Sequence, residues 1–184
     1  LPLLLMSGCV HDISVAPELS KLKKGRPVTI HRTVAYYIPP EQYALQVTTP
    51  GGNNDELRYR PYQESAAALE KVLGNVFTEV HRIDSLDDPK IDEQQIRFIF
   101  VPQIETMSYS NSNVDWQPTK FSFVLKVKFL TADKKMFYES HAQGKGIANF
   151  GRYQENPAYA VEIASRSAFL QLQDEIIDQR ALFR

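Results

Sequence analysis

Cysteine occurs once in the 184 residues, at Cys9. No disulfide can close within the chain, so in an oxidising compartment the fold must be held by packing alone. Histidine is nearly as scarce: His11, His31, His81 and His141 are scattered, with no His-Glu-x-x-His pair to hold a metal. No serine sits in a Gly-x-Ser-x-Gly elbow. The pair Gly51-Gly52 is followed by no lysine at phosphate-loop spacing, and no Gly-x-Gly-x-x-Gly occurs. The acidic stretch 84–93 lacks the glycine and ligand order of a calcium loop and reads as solvated. An excess of charge of either sign is missing too: 21 basic residues stand against 22 acidic ones. The formal net charge of -1 leaves no basic footprint for nucleic acid. No apolar run approaches the roughly 20 residues that span a bilayer. No catalytic residue, metal ligand or cofactor site is nominated. A carboxylate pair assembled only in three dimensions, as glycosidases use, would leave no such trace.

What is present suffices for one domain of ordinary size. Hydrophobic residues are 43% and charged residues 23%, enough to fill a core and stay soluble. Residues 10–27 have no clean period and collect Pro17, Lys21, Lys23, Lys24, Gly25, Arg26 and Pro27, so they read as a solvated tether. Residues 28–38 are rich in β-branched and aromatic side chains, a strand ended by Pro39-Pro40. Residues 42–61 are read as irregular, with turn formers concentrated over 48–55. Pro61 suits the first position of a helix over 61–77, where Ala66, Leu69, Val72, Leu73, Val76 and Phe77 fall on one stripe. A short strand follows at 78–83.

Residues 96–107 have a near-continuous apolar centre, as a central strand has. Pro102 inside it calls for a bulge or an edge position. In 121–129, Phe121, Phe123, Leu125, Val127 and Phe129 alternate with Ser122, Val124, Lys126 and Lys128. With a turn at 132–135 and a return strand at 136–147, this is a hairpin. Gly144 and Gly146 are read as bend or bulge residues. Residues 149–155 are read as a loop, and Asn156-Pro157 as the start of a helix reaching about residue 178. Ala160, Ile163, Ala164, Ser167 and Ala168 give that helix a face of small residues, and Glu162 and Arg166 stand at pairing distance.

The first nine residues, Leu1-Pro2-Leu3-Leu4-Leu5-Met6-Ser7-Gly8-Cys9, are an apolar run closing on two small residues and the cysteine. This resembles the lipobox of bacterial lipoproteins, although Met6 stands where leucine is usual. The other reading is a short buried apolar segment that ends in Gly-Cys. The resemblance implies cleavage before Cys9 and acylation of Cys9, which would consume the only thiol. It implies a division into a signal end (1–8), an acylated start and tether (9–27) and a periplasmic domain (28–184). Val10 is not the aspartate associated with inner-membrane retention, so the analogy places the protein on the periplasmic face of the outer membrane.

The order of elements predicts an α+β fold, a mostly antiparallel sheet of four or five strands with two helices on one face. That order resembles small Gram-negative envelope lipoproteins such as the YajG type and the lipopolysaccharide-assembly lipoprotein LptE. Over the residues themselves the resemblance covers only the lipobox. The function expected is a non-enzymatic accessory or scaffold, held to the lipid bilayer through Cys9, that binds an envelope protein and can form a homo-oligomer. A hydrolase of cell-wall or glycan material and a carrier or sensor of a small apolar ligand are the alternatives. The expected partner surface is the 48–55 loop with nearby aromatics: Tyr43, Gly51, Gly52, Asp55, Tyr59 and Trp116. Tyrosine and tryptophan often dominate binding energy. Trp116 serves equally well as a cap on the core.

Overall fold

The computed structural model describes residues 9–23, 29–51, 55–109 and 118–184. The strands are β1 (Val10–Asp12), β2 (Ile30–Tyr37), β3 (Val47–Pro50), β4 (Glu56–Tyr59), β5 (Phe77–Ile83), β6 (Phe98–Tyr109), β7 (Thr119–Thr131) and β8 (Met136–Ala148). The helices are α1 (Pro40–Tyr43), α2 (Pro61–Gly74), α3 (Lys90–Glu93), α4 (Phe150–Glu155) and α5 (Tyr159–Asp178).

Alternation in β7 builds the core. Phe121, Phe123, Leu125, Val127 and Phe129 all point to one face, and none is more than 1% exposed. β7 is the second-last strand of a five-stranded sheet ordered β5-β2-β6-β7-β8. β2 runs parallel to β5 and β6, and β7 runs antiparallel to β6 and β8. The long helices α2 and α5 cover the face that β7 buries. The fold is α+β with both long helices on one face of the sheet, as the sequence implies.

Pro102 is explained by where β2 stops. Pairing of β2 with β6 ends at Tyr36 and Phe100, while β6 continues beside β7 to Tyr109. Backbone N–H groups alternate in direction along a strand. Ile104, in phase with Pro102, donates away from β7 to Tyr62 Oη at 3.0 Å. Pro102 therefore lacks its N–H where no ladder bond is available on the β2 side.

Gly144 and Gly146 do not bend β8. They stay paired with Phe123 and Phe121 and sit on the buried face. A Cβ on Gly144 would lie 1.8 Å from the Ala164 carbonyl oxygen, and one on Gly146 1.8 Å from that of Ala160. The two glycines thus let the backbone of α5 rest on the sheet, with Ala160, Ala164 and Ala168 completing the close seam. Ile163 and Ser167, expected on that face, lie outside it; Val161, Ser165 and Phe169 are buried instead.

Other expectations change as well. Residues 149–155 contain α4, capped by the Asn149 side chain, which accepts from Arg152 N at 3.0 Å. Asn156 precedes α5 by a turn: its Oδ1 accepts from Ala158 N at 2.9 Å, and its amide donates to Glu162, the residue expected to pair with Arg166. The acidic stretch is folded rather than merely solvated. Asp88 accepts from Asp84 N at 2.8 Å and Lys90 N at 3.0 Å. Those two bonds hold its carboxyl below the usual range. This segment covers a second, small cluster on the outer face of the sheet: Ala35, Ile83, Ile91, Ile96, Ile99 and Leu130.

The stretch read as a tether is packed along α2. Val15 and Leu22 are fully buried. Val15 N donates to Glu64 Oε2 at 2.7 Å, and Glu64 also takes the N–H of Arg60 at the start of α2. At the far end of α2, the Asn75 amide donates to Leu22 O at 2.9 Å and to Gln173 Oε1 at 2.7 Å; Gln173 donates to Lys23 O at 3.1 Å. Lys21 pairs with Glu18. Lys24, Gly25, Arg26 and Pro27 lie outside the described residues.

Candidate functional site around Cys9

The region read as irregular is a β-hairpin. Val47, Thr48, Thr49 and Pro50 pair antiparallel with Tyr59, Arg58, Leu57 and Glu56, and β1 adds in parallel on the other side of β4. The resulting sheet, ordered β1-β4-β3, fills the place beside β6 that β2 vacates. Tyr59 Oη donates to Thr106 Oγ1 at 2.7 Å, and Ser108 Oγ donates to the Pro50 carbonyl.

Cys9 stands at the outer corner of this small sheet and is exposed. Its backbone is fixed on both sides. Its N–H donates to Asp55 Oδ1 at 3.0 Å, and its carbonyl accepts from Glu56 N at 2.9 Å. The second oxygen of Asp55 meets His11 Nε2 at 2.9 Å, with the side chains 15% and 34% exposed. With Asp55 ionised, that ring nitrogen is the donor. The Asp55 carbonyl accepts from Gly51 N at 2.7 Å, closing the hairpin. The His11 ring stands edge-on to Tyr153 of α4, 6.2 Å between centroids. A Cβ on Gly51 would come within 2.6 Å of Tyr153 Oη, so glycine admits that hydroxyl. Asp55 thus ties together β1, the hairpin and the start of the described chain. Nearby, Arg58 pairs with Asp12 in the open and holds its carboxyl low; such surface pairs contribute little.

The expected partner residues divide. Gly51 and Asp55 belong to the Cys9 corner, where they work as structure. Tyr59 is buried, 2% exposed, and is a core residue rather than a contact surface. Burial also raises the pKa of its phenol. Tyr43 is half-buried, with the Arg82 guanidinium 4.3 Å over its ring. Gly52 and Trp116 lie outside the described residues, as do Met6, Ser7 and Gly8. Tyr36 and Tyr62, which flank the region, are core residues whose hydroxyls meet Glu70 and Ile104 N. Burial, with Glu70 beside it, pushes Tyr36 up to about 12. His11 and Tyr153 are the site residues the sequence concealed. They meet across 142 positions, and nothing near either one announces the contact.

Elsewhere, open grooves run over the surface of the described residues. One, of about 510 Å3, runs between Leu19 and the end of α2 at Gly74 and Asn75. Another, of about 630 Å3, lies among His31, Arg32, Ile96 and Arg97. Between the helices and the sheet, Tyr62, Leu69, Leu125 and Phe169 enclose only about 180 Å3 of interatomic space. Among the described residues no cluster of three His, Cys, Asp or Glu could hold a metal, and no helix is long and apolar enough to cross a membrane.

Solved structures share this arrangement. A minor lipoprotein from Acinetobacter baumannii superposes with a TM-score of 0.51 at 6% identity, over 83% of this chain and 95% of that one. The chain shares its fold with a bacterial lipoprotein. A Xanthomonas campestris protein of the DUF330 family superposes with a TM-score of 0.50 at 9% identity, over 96% of each chain. At these identities the likeness is one of fold. No family model and no curated protein matches the sequence.

Proposed function

We propose that the protein is a bacterial lipoprotein acylated at Cys9, whose domain serves at the membrane as a non-enzymatic accessory that binds an envelope-assembly protein. The observation that carries this reading is the setting of Cys9. Its side chain is exposed while its backbone is locked to Asp55 and Glu56 at the edge of the folded domain. An acylated α-amine keeps one N–H, so the bond to Asp55 is compatible with modification. The lipobox pattern and the shared fold support the same reading. The outer membrane, facing the periplasm, is the location this reading assigns. Asp88, which accepts from two backbone N–H groups, and Asp55, which meets the Cys9 N–H and the His11 ring, are each occupied in holding the chain together.

The test is mass spectrometry of the N-terminal peptide of protein extracted from membranes of a Gram-negative host, together with crosslinking capture from intact membranes. A diacylglyceryl thioether on Cys9, lost in Cys9→Ser along with stable membrane retention, is the expected result. One acyl chain anchors only marginally, so at least two are required. An unmodified Cys9 thiol in the membrane fraction refutes the anchor. Capture of no envelope protein by the acylated form refutes the accessory role.

A further inference from the structure

We infer that the end of the domain bearing Cys9 lies against an anionic lipid surface, through the apolar side chains of Met107, Tyr109, Ile147 and Phe150 and the ammonium groups of Lys120 and Lys145. The inference rests on the acyl-anchor reading and adds to it an orientation and a second, protein-borne contact. A continuous path of neighbours links Cys9 to these residues. Val10 pairs with Glu56 and Glu56 with Pro50; Ser108 bonds the Pro50 carbonyl; Ser108 pairs with Phe121 and Phe121 with Gly146. One residue further out, Cys9, Asp55 and Gly51 stand at the level of Tyr109, Lys120 and Ile147.

At this level the surface changes character. Met107 and Tyr109 are 49% exposed, Ile147 57%, Phe150 46% and Val10 48%. Tyr109, Lys120 and Ile147 form one rung on the outer face of the sheet, and Met107, Ser122 and Lys145 the next. Neither Lys120 nor Lys145 has an ion-pair partner among the described residues, whereas Lys126, lower on the same face, pairs with Glu105 at 2.7 Å. Apolar side chains interleaved with unpaired lysines suit the membrane interface, where apolar parts enter the acyl boundary and ammonium groups meet phosphates. An acyl group leaving Cys9 in the same layer brings this end of the domain to the headgroups.

The test uses the single cysteine. Once Cys9 is acylated, a cysteine introduced by Tyr109→Cys, Ile147→Cys or Met136→Cys is the only thiol. Each is labelled with an environment-sensitive dye, and the acylated protein is reconstituted in phosphatidylethanolamine–phosphatidylglycerol vesicles carrying a lipid-borne quencher. Met136 is 58% exposed at the opposite end and serves as the control. Blue-shifted, quenched emission at 109 and 147 with none at 136 is expected. Equal emission at all three positions overturns the inference while leaving acylation, read separately by mass, intact. Shielding at 109 and 147 in native membranes but not in protein-free vesicles assigns the surface to a protein and also overturns it. In a second arm, folded Cys9→Ser protein is expected to bind phosphatidylglycerol vesicles more tightly than phosphatidylcholine vesicles. Lys120→Gln and Lys145→Gln should each weaken that binding about fivefold. Binding indifferent to both lipid charge and these lysines refutes the electrostatic contact.

Discussion

The two sheets of this protein are held by different physics. The five-stranded sheet is fixed by rows of apolar side chains. Phe100, Phe129 and Phe183 stack with Phe77, Phe98 and Phe137 at its base, and α5 closes on Gly144 and Gly146 higher up. The three-stranded sheet buries Leu57 and Tyr59 but is otherwise fastened by polar bonds from distant parts of the chain: Cys9 and His11 to Asp55, and Ser108 to Pro50. Apolar rows cooperate and fail together, while a polar seam can open in part. The small sheet, with Cys9 on it, should therefore loosen before the large one.

The sharpest way to break the large sheet is Gly144→Val. The new side chain would overlap the backbone of α5, which cannot retreat without unseating Ala160 and Ala168. We expect a loss of at least ~3 kcal/mol or failure to fold, read from urea unfolding. Gly51→Val clashes only with a tyrosine hydroxyl and the edge of a hairpin, so it should cost clearly less. Equal losses would erase the distinction between the sheets.

Next come Phe123→Ala and Leu125→Ala, each expected to cost about 2–5 kcal/mol. Lys126→Ala, on the half-open face and bonded only to Glu105, should cost under about 1 kcal/mol in the same measurement. The reverse order would mean that the outer face is the buried one.

For the small sheet, Asp55→Ala removes the acceptor of both the Cys9 N–H and the His11 ring. The expected cost is about 1–3 kcal/mol, confined to one region. Hydrogen exchange should quicken at β1 and β4 and stay unchanged at β7. Uniform quickening would show that the two sheets unfold as one unit.

The smallest effect belongs to acid. The Asp88 carboxyl is held low by the N–H groups of Asp84 and Lys90. A lowered folded pKa gives stability that is present above the unfolded value, ~3.9, and lost as pH falls through the folded one. Exchange at Asp84 N and Lys90 N should therefore accelerate below about pH 4, and Asp88→Asn should remove most of that dependence. Protection unchanged down to pH 2 would refute the assignment.

Much of the large sheet was legible in the sequence because its signals are local. Phe121 through Phe129 alternate without interruption, and Pro61 begins a helix with a clear apolar stripe. The small sheet was concealed because its strands are short and written in turn-forming residues: Thr48, Thr49 and Pro50 pair as a strand only because Arg58, Leu57 and Glu56 return beside them. Val10 to Asp12 pair in parallel with residues 46 positions away, which no local pattern encodes. The candidate site suffered most. Tyr59 reads as an interface aromatic, yet its hydroxyl has a partner in Thr106, which lets it sit in the core. Asp55 reads as a loop residue, yet its two oxygens organise the Cys9 corner. Gly144 and Gly146 read as flexibility and prove to be clearance for α5.

The attachment of β1 also has a mechanical side. Cys9 is at the outer end of β1, and the strand runs inward beside β4 toward Val15 and, along α2, to Leu22. A pull on Cys9 directed out of that end acts along the strand axis. It loads the β1–β4 hydrogen bonds together, in shear, instead of peeling them one at a time. Behind them, the Asn75–Leu22 and Gln173–Lys23 bonds clamp the same segment at the other end of α2. Tension at the cysteine would thus be borne first by three paired residues and then by a buried polar knot, and only afterwards by the core.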